Sequence, residues 1–265
     1  MTDYALRMSP EELGRYRMMA AQAQDLEAEL WAQAGIVPGA RVVDLGCGPG
    51  AALLAMAEVV GADGSVYGVD GDPAAVAVAE SLIAGAGLTN ASVVVGDVAA
   101  SALPPEPMDV AVLRHVLAHN GSTEQAIVDH AASLVRPGGC VYLVDVDATM
   151  LRSRPRPPLM DEVQERYLAY HAQRGNDLRV GLRLADLLER AGLDIVVETI
   201  RVAVVDIPRG FRPPAWAARE AMVAAGVISA GDVERWAAGY AEIDAGDRRL
   251  RGFFPTFVAA GRKPL

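Results

Sequence analysis

The chain has 265 residues, 52% of them hydrophobic and 22% charged, which is enough to bury a sizeable core and suits one large α/β domain with embellishments better than two independent domains. Its formal charge of −10 argues against nucleic acid or an anionic membrane surface as a partner, because those interfaces rely on Lys and Arg to neutralise phosphates. Asp3, Arg7, Glu11 and Glu12 interrupt any apolar leader and no run is long enough to span a bilayer, so a cytoplasmic location is expected; Cys47 and Cys140, without CxxC or Cys/His spacing, imply neither a disulfide framework nor a structural zinc.

Ser9-Pro10-Glu11-Glu12 is a capping box with proline at the first helical position. Leu13, Tyr16, Ala20, Ala23, Leu26, Leu30 and Ala34 then recur at helical spacing, which predicts a long amphipathic helix within a lead-in of residues 1–37. From there apolar runs alternate with helices: run Arg41 to Leu45, helix Ala51 to Val60, run Ser65 to Val69, helix Pro73 to Ala86, run Ser92 to Val95. Next come run Met108 to Leu113, a helix capped by Ser122 and Gln125 that ends at Pro137-Gly138-Gly139, and run Cys140 to Val146. Short β-rich runs separated by helices mean βαβ units and a parallel, doubly wound α/β sheet.

After Asp147 the rhythm breaks into Ser153-Arg154-Pro155-Arg156-Pro157-Pro158 and a helix from about Met160 to His171, an insertion over the sheet. A helix at Leu184 to Ala191, a strand around Ile195 to Val205, helical stretches at 214–225 and 230–242, and a last strand at Phe254 to Ala260 complete the chain. The expected organisation is a helical lid over 1–37 and one domain over 38–265, with helical cap segments at 148–183 and 208–246.

The chemistry concentrates at Val42-Val43-Asp44-Leu45-Gly46-Cys47-Gly48-Pro49-Gly50, an apolar strand running into three glycines at alternate positions just ahead of a helix. Gly46, Cys47, Gly48 and Gly50 are cofactor-binding candidates, since such a turn lets a ligand approach backbone where a Cβ would clash. Gly46, Gly48 and Ala51 also satisfy the looser dinucleotide fingerprint, which keeps an NAD(P)-dependent oxidoreductase as an alternative. Asp44 separates the two. Its carboxylate would repel a pyrophosphate on the helix N-terminus, whereas it favours the ammonium and sulfonium of S-adenosylmethionine. The run Val66-Tyr67-Gly68-Val69-Asp70 ends in a carboxylate 26 residues after Asp44, where an acid can accept both ribose hydroxyls. Gly71 would leave room for the adenine, and Asp72, ahead of Pro73, reads as the N-cap of the next helix. In Val95-Gly96-Asp97-Val98, Asp97 is placed to accept from the adenine amino group and the Val98 amide to meet a ring nitrogen.

Residues 38 to 147 resemble the class I S-adenosylmethionine-dependent methyltransferase domain, in the branch of ubiquinone/menaquinone and natural-product methyltransferases. The resemblance rests on VVDLGCGPG, VYGVDGDP, VVGDV, MDVAVLRHVLAH and LVRPGGCVYLVD in that order and spacing. It implies a Rossmann-like seven-stranded sheet of order 3-2-1-4-5-7-6 with the last-formed strand antiparallel, S-adenosylmethionine as cofactor, and S-adenosylhomocysteine as product. It also implies an acceptor pocket roofed by the N-terminal helix and the insertion after the fifth strand. The expected activity is in-line methyl transfer to a small molecule, in bacterial secondary metabolism or quinone-like biosynthesis; a non-catalytic S-adenosylmethionine-binding protein is a further alternative, and a homodimer is left open.

A methyl group on a positive sulfur is already activated, so placing the acceptor and stripping water come first and a base is optional. His115, following the fourth strand in Leu113-Arg114-His115, is the best placed of four histidines for general-base help, set against a cofactor-contacting or packing role. His171 on the insertion helix is the second catalytic candidate, and His119, about one turn past His115, a substrate-side one. His130 flanks the Ile127, Ala131, Leu134 face with no chemical role. Arg114 is expected near the methionine end of the cofactor. Tyr4 and Tyr16 are candidates to close over the sulfonium with their ring faces, although Tyr16 falls on the apolar stripe. Trp216, Trp236 and Tyr240 read as cap packing.

From Arg152 to Arg183 there are seven arginines against four acids. Arg152 and Arg154 are therefore candidates to bind an acceptor bearing a carboxylate or phosphate, against the alternative of a solvated lid with pairs such as Glu162 and Arg166. The ratio of one lysine, Lys263, to 23 arginines tempers that reading. No catalytic metal is expected, because Asp145 and Asp147 supply two carboxylates but the fourth strand ends in Leu-Arg-His.

Overall fold

The structure, a computed structural model, describes residues 26–103, 106–247 and 249–265; the Ser9 capping box, Tyr4 and Tyr16 lie outside them. Of the lead-in, a helix α1 is described over residues 26–34. The apolar runs become five parallel strands: β1 (Arg41–Leu45), β2 (Ser65–Asp70), β3 (Ala91–Val95), β4 (Met108–Arg114) and β5 (Val135–Asp145). Helices α2 (Ala51–Val60), α3 (Pro73–Gly85) and α4 (Glu124–Leu134) lie in the crossovers. Strand β6 (Arg152–Arg154) and helices α5 (Pro158–Gln173) and α6 (Leu184–Arg190) follow; then come strand β7 (Asp194–Ile207), helices α7 (Pro214–Ala217), α8 (Arg219–Ala224) and α9 (Ala230–Ala245), and strand β8 (Leu250–Arg262).

The sheet runs β3-β2-β1-β4-β5-β8, with β7 on the far side of β8. β8 is antiparallel to both β5 and β7. This is the expected order with one number added, because the three-residue β6 pairs with the start of β8 beyond the end of β5.

Helices cover both faces, which is why the strands read as nearly unbroken apolar runs. Alternate residues supply separate cores. Val42, Val66, Val110 and Tyr142 pack with Trp31 of α1 and Leu53 and Met56 of α2, while Val43, Leu45, Leu113 and Leu143 pack with Ile127 of α4, Tyr170 of α5 and Leu188 of α6. Each large aliphatic side chain buried this way contributes about 1.5–3 kcal/mol. Asp72 caps α3 as expected, accepting from the Ala74 amide at 2.9 Å with Pro73 at the first helical position.

Two local expectations fail. Ser122 does not cap α4, since Gly121–Thr123 forms a 3-10 turn and the helix enters from Thr123 without a side-chain cap. Gln125 bonds Asp129 and the Leu187 carbonyl instead. Likewise Glu162 does not pair within its own helix; it accepts from Arg235 at 2.7 Å and Trp236 at 3.1 Å, tying α5 to α9. The β7–β8 ribbon is also longer than the apolar runs suggest, because Ile200, Val202 and Val204 lie exposed on a strand whose pairing alone carries it to Ile207.

Candidate functional site

Strand β1 delivers its chain into a turn whose three glycines all have positive φ, 81° at Gly46, 53° at Gly48 and 80° at Gly50. Gly50 is the residue from which α2 starts. The turn is held against the neighbouring strand by the Gly46 and Cys47 amides, both donating to the Val69 carbonyl at 2.7 and 3.1 Å. A Cβ on Gly46 would lie 2.4 Å from Val116 Cγ2, so glycine is required here by space as well as by conformation. Cys47 is buried, and burial next to Asp44 and Asp70 pushes its thiol far above the normal range, so it is an inert wall rather than a nucleophile.

Asp44 sits at the mouth of this turn and is 2% exposed. Among the described residues no hydrogen bond reaches its carboxylate. Burial raises its pKa to about 7, against the opposing pull of Arg114 and with a smaller push from Asp70. A desolvated carboxylate without a hydrogen-bonded partner is suited to a cationic ligand group.

Asp70 ends β2 and is already engaged: the Gly48 amide donates to Oδ2 at 2.7 Å and the Asp72 amide to Oδ1 at 2.9 Å. These bonds fix the carboxylate across the mouth of the glycine turn while leaving lone pairs for a diol. Burial raises its pKa, and the bonds from Asp72 and Gly48 oppose that. Beyond it, a Cβ on Gly71 would meet only the Gly96 carbonyl, at 3.8 Å, so the gap between the ends of β2 and β3 is open. Asp97 lies exposed just past β3, with Oδ1 accepting from the Ala99 amide at 2.8 Å, and Val98 packs partly buried on the core. Carboxylates thus stand at or just past the ends of three adjacent parallel strands, β3, β2 and β1.

Glu27 is a site residue that the sequence-based candidates did not include. It is 2% exposed on α1, where Glu27, Trp31 and Ala34 share the buried face, and that i, i+4, i+7 spacing was the available signal. Glu27 accepts from Arg114 Nη2 at 3.1 Å and from the Tyr142 hydroxyl at 3.1 Å. Arg114 is thereby held at the end of β4 close enough to Asp44 to lower its pKa.

His115 follows directly, and among the described residues it is the one non-glycine with positive φ, 59°. Its amide donates to the Val144 carbonyl at 2.7 Å, pinning the left-handed residue between the ends of β4 and β5. Such a conformation costs roughly 1–2 kcal/mol and is found where surrounding structure over-determines it. Asp145 at the end of β5 is buried, accepts from the Ala118 and Val146 amides at 3.1 and 2.9 Å, and is raised by burial to about 7. Asp147 caps the next turn through Thr149 at 2.8 Å. Asp145 and Asp147 thus both hold backbone amides.

The insertion brings His171 down onto His119. The two rings meet edge to face with centroids 5.0 Å apart, and Tyr167 and Tyr170 pack on His171 at 4.4 and 5.2 Å. Burial, with a smaller push from Arg174, lowers the His171 pKa to about 4. The Asn176 amide nitrogen lies 3.0 Å from Nδ1. An amide NH2 only donates, so Nδ1 accepts and the ring proton resides on Nε2, which is buried and has no hydrogen-bond partner among the described residues. As assigned, this ring offers a donor rather than a base. His130, by contrast, is tied to Ser101 through its amide at 3.1 Å and hydroxyl at 2.8 Å, the packed role expected of it.

The arginine run disperses. Arg156 pairs with Asp161, Arg183 with Glu124 and Asp177, and Arg174 lies 5.4 Å over the Tyr170 ring. Arg152 bonds carbonyls of its own segment, and Arg154 stands exposed beside Arg156 and Arg249.

Residues 36–192 match the family described as a methyltransferase domain. Among curated proteins, the chain is similar to an arsenite methyltransferase of Halobacterium salinarum, 31% identical over 49% of this chain and 32% of that one. It is also similar to a nocamycin O-methyltransferase of Saccharothrix syringae, 37% identical over 40% of this chain and 38% of that one. These alignments span about a third of each relative's length. Among solved structures, an S-adenosylmethionine-dependent methyltransferase from Aquifex aeolicus superposes with a TM-score of 0.52 at 16% identity, covering 94% of this chain and 99% of that one.

Proposed function

Because the chain belongs to the methyltransferase-domain family, we propose that it transfers a methyl group from S-adenosylmethionine to a small organic acceptor. The observation that carries this reading is Asp44, a buried carboxylate with no hydrogen bond from the described residues, set at the mouth of a three-glycine turn. A cation beside it relieves the desolvation that raises its pKa, whereas a pyrophosphate there would face like charge.

In this reading Asp44 and the glycine turn hold the amino-acid end of the cofactor, with Arg114 beside them. Asp70 accepts from the ribose hydroxyls. Gly71, Gly96, Asp97 and Val98 border the adenine. When bound, the cofactor supplies a methyl group already activated by positive charge, so the protein's task is alignment and exclusion of water. His115, held in its left-handed conformation just past β4, is the candidate general base on the acceptor side. His171 presents Nε2–H from the insertion as a hydrogen-bond donor to the acceptor, with His119 beside it. The relatives named as acting on arsenite and on nocamycin support a small-molecule acceptor and place no single atom as the methyl target.

Differential scanning with saturating S-adenosylhomocysteine, NAD+ and NADP+ tests the cofactor. A rise in melting temperature is expected for the first alone, since a ligand at about 100 times its Kd adds about 2.7 kcal/mol. A shift with a nicotinamide nucleotide and none with S-adenosylhomocysteine would overturn the proposal. Production of S-adenosylhomocysteine in the presence of phenolic, amine and carboxylate acceptors then tests transfer itself.

A further inference from the structure

Val112 of β4 stands opposite Asp44 on β1 and opposite Tyr142 on β5, so the three residues form one row across adjacent parallel strands. Alternation along β4 puts Arg114, two residues past Val112, on the same face of the sheet. That face is the one α1 covers, since Trp31 shares a core with Val112 and Tyr142. With strands about 4.8 Å apart and about 3.3 Å per residue, the Arg114 and Asp44 backbones are roughly 8 Å from each other, within the combined reach of the two side chains.

Two buried carboxylates, Glu27 and Asp44, therefore compete for one guanidinium. Arg114 takes Glu27: Nε at 3.3 Å and Nη2 at 3.1 Å both donate to Oε1. Asp44 feels the same positive charge from further off and accepts no hydrogen bond from the described residues. Two contacts hold Glu27 in place for this. The Tyr142 hydroxyl donates to Oε2 at 3.1 Å, satisfying the oxygen that Arg114 leaves. Arg201 of β7 donates from Nε to the Leu26 carbonyl at 3.2 Å, which fixes α1 one residue ahead of Glu27. Without Glu27, a desolvated Asp44 would be the acid left for the guanidinium to neutralise. Such a pair would occupy the carboxylate that a cationic ligand group needs.

We infer that Glu27 is a positioning residue for the cofactor: it holds the Arg114 guanidinium off Asp44 and so keeps that carboxylate open to the cofactor's ammonium. The inference rests on the reading that the crevice takes S-adenosylmethionine. Glu27 acts through Arg114 and touches neither cofactor nor acceptor. Its effect is confined to the amino-acid end of the ligand, because Asp70 and the gap at Gly71 lie on the other side of Asp44, along β2 and β3.

Calorimetric titration of the full chain with S-adenosylhomocysteine and with 5′-methylthioadenosine tests this. The second ligand has the adenine, ribose and sulfur of the first and lacks its amino-acid group. Glu27→Gln keeps the size of the side chain and removes its charge. It should weaken S-adenosylhomocysteine about tenfold and 5′-methylthioadenosine less than twofold. Tyr142→Phe, which loosens Glu27 but leaves its charge, should show the same selectivity at two- to threefold. The double variant Glu27→Gln/Arg114→Met has no guanidinium to turn onto Asp44, and should bind S-adenosylhomocysteine at least threefold more tightly than Glu27→Gln alone. Equal weakening of the two ligands in Glu27→Gln would make Glu27 a purely structural pin and overturn the inference. So would unchanged S-adenosylhomocysteine affinity, or a double variant no better than the single one. An unaltered chain that binds neither ligand would instead overturn the cofactor reading, and this inference with it.

Discussion

Glu27 Oε1 lies 3.1 Å from Arg114 Nη2, joining α1 to the end of β4 through a carboxylate whose other oxygen takes the Tyr142 hydroxyl. The pair is largely dehydrated, with side-chain exposures of 2% and 12%. Breaking such a dehydrated pair costs about 3 kcal/mol. Glu27→Ala should lower the urea-derived stability by that amount, while Glu27→Gln, which keeps an acceptor for Tyr142, should lose roughly half as much. Losses within about 0.5 kcal/mol for both variants would show the pair to be energetically idle.

Gly46 and Gly71 separate a structural glycine from a ligand-space glycine. At Gly46 a Cβ would meet Val116 Cγ2 at 2.4 Å in a backbone at φ 81°, so Gly46→Ala should cost about 2–4 kcal/mol in stability. At Gly71 the nearest atom to a Cβ is the Gly96 carbonyl at 3.8 Å, and φ is not in the left-handed range. Gly71→Ala should therefore leave the urea midpoint unchanged yet weaken S-adenosylhomocysteine at least tenfold, or about 1.4 kcal/mol, by occupying adenine space. Unchanged affinity in that variant would move the adenine elsewhere.

Much of this was legible in the chain. The carboxylates Asp44, Asp70 and Asp97 follow from apolar runs that contain, end at or lead into an acid, and the strand order follows from the resemblance to the family. Glu27 was not legible, since a charged residue one position off an apolar stripe reads as solvent-facing until the partner strand is known to carry Arg114 and Tyr142. The arginine run was hard to read for a related reason. Charge counted along the sequence says nothing about Arg156 meeting Asp161 or Arg183 meeting Glu124.

Asp44 gives a pH signature with a definite sign. Burial raises its folded pKa from 3.8 to about 7. Between those values the folded chain keeps a proton that the unfolded chain has released, so stability falls as pH rises through the window. Asp145, raised to about 7 by the same cause, adds to the slope. Asp44→Asn should flatten the decline in melting temperature between about pH 5 and 7.5 without abolishing it, and should raise melting temperature most at the upper end. A sulfonium ligand favours the ionised form, so S-adenosylmethionine should bind the unaltered chain several-fold more tightly at about pH 7.5 than at pH 6. The same titration in Asp44→Asn should be flat; an equal pH dependence in both proteins would assign the titrating group elsewhere.

His171 tests whether the insertion contributes a hydrogen bond or a proton acceptor to the reaction. Its pKa, lowered to about 4 by burial and then by Arg174, keeps the ring neutral across the neutral range, and the Asn176 contact assigns the proton to Nε2. A donor can be replaced by another donor, so His171→Gln should retain methyl transfer within about fivefold, whereas His171→Ala should lose at least about tenfold in kcat with little change in KM for S-adenosylmethionine. A base cannot be replaced by an amide, and equal losses in the two variants would assign that role to His171 instead. Stability supplies an independent readout. With the folded pKa below the unfolded value of 6.5, the unfolded chain takes up the proton first as pH drops, so the contribution of the neutral ring is present above pH 6.5 and is lost as pH falls towards 4. His171→Gln should accordingly melt closer to the unaltered chain at about pH 5 than at pH 7, because only the unaltered chain suffers this loss.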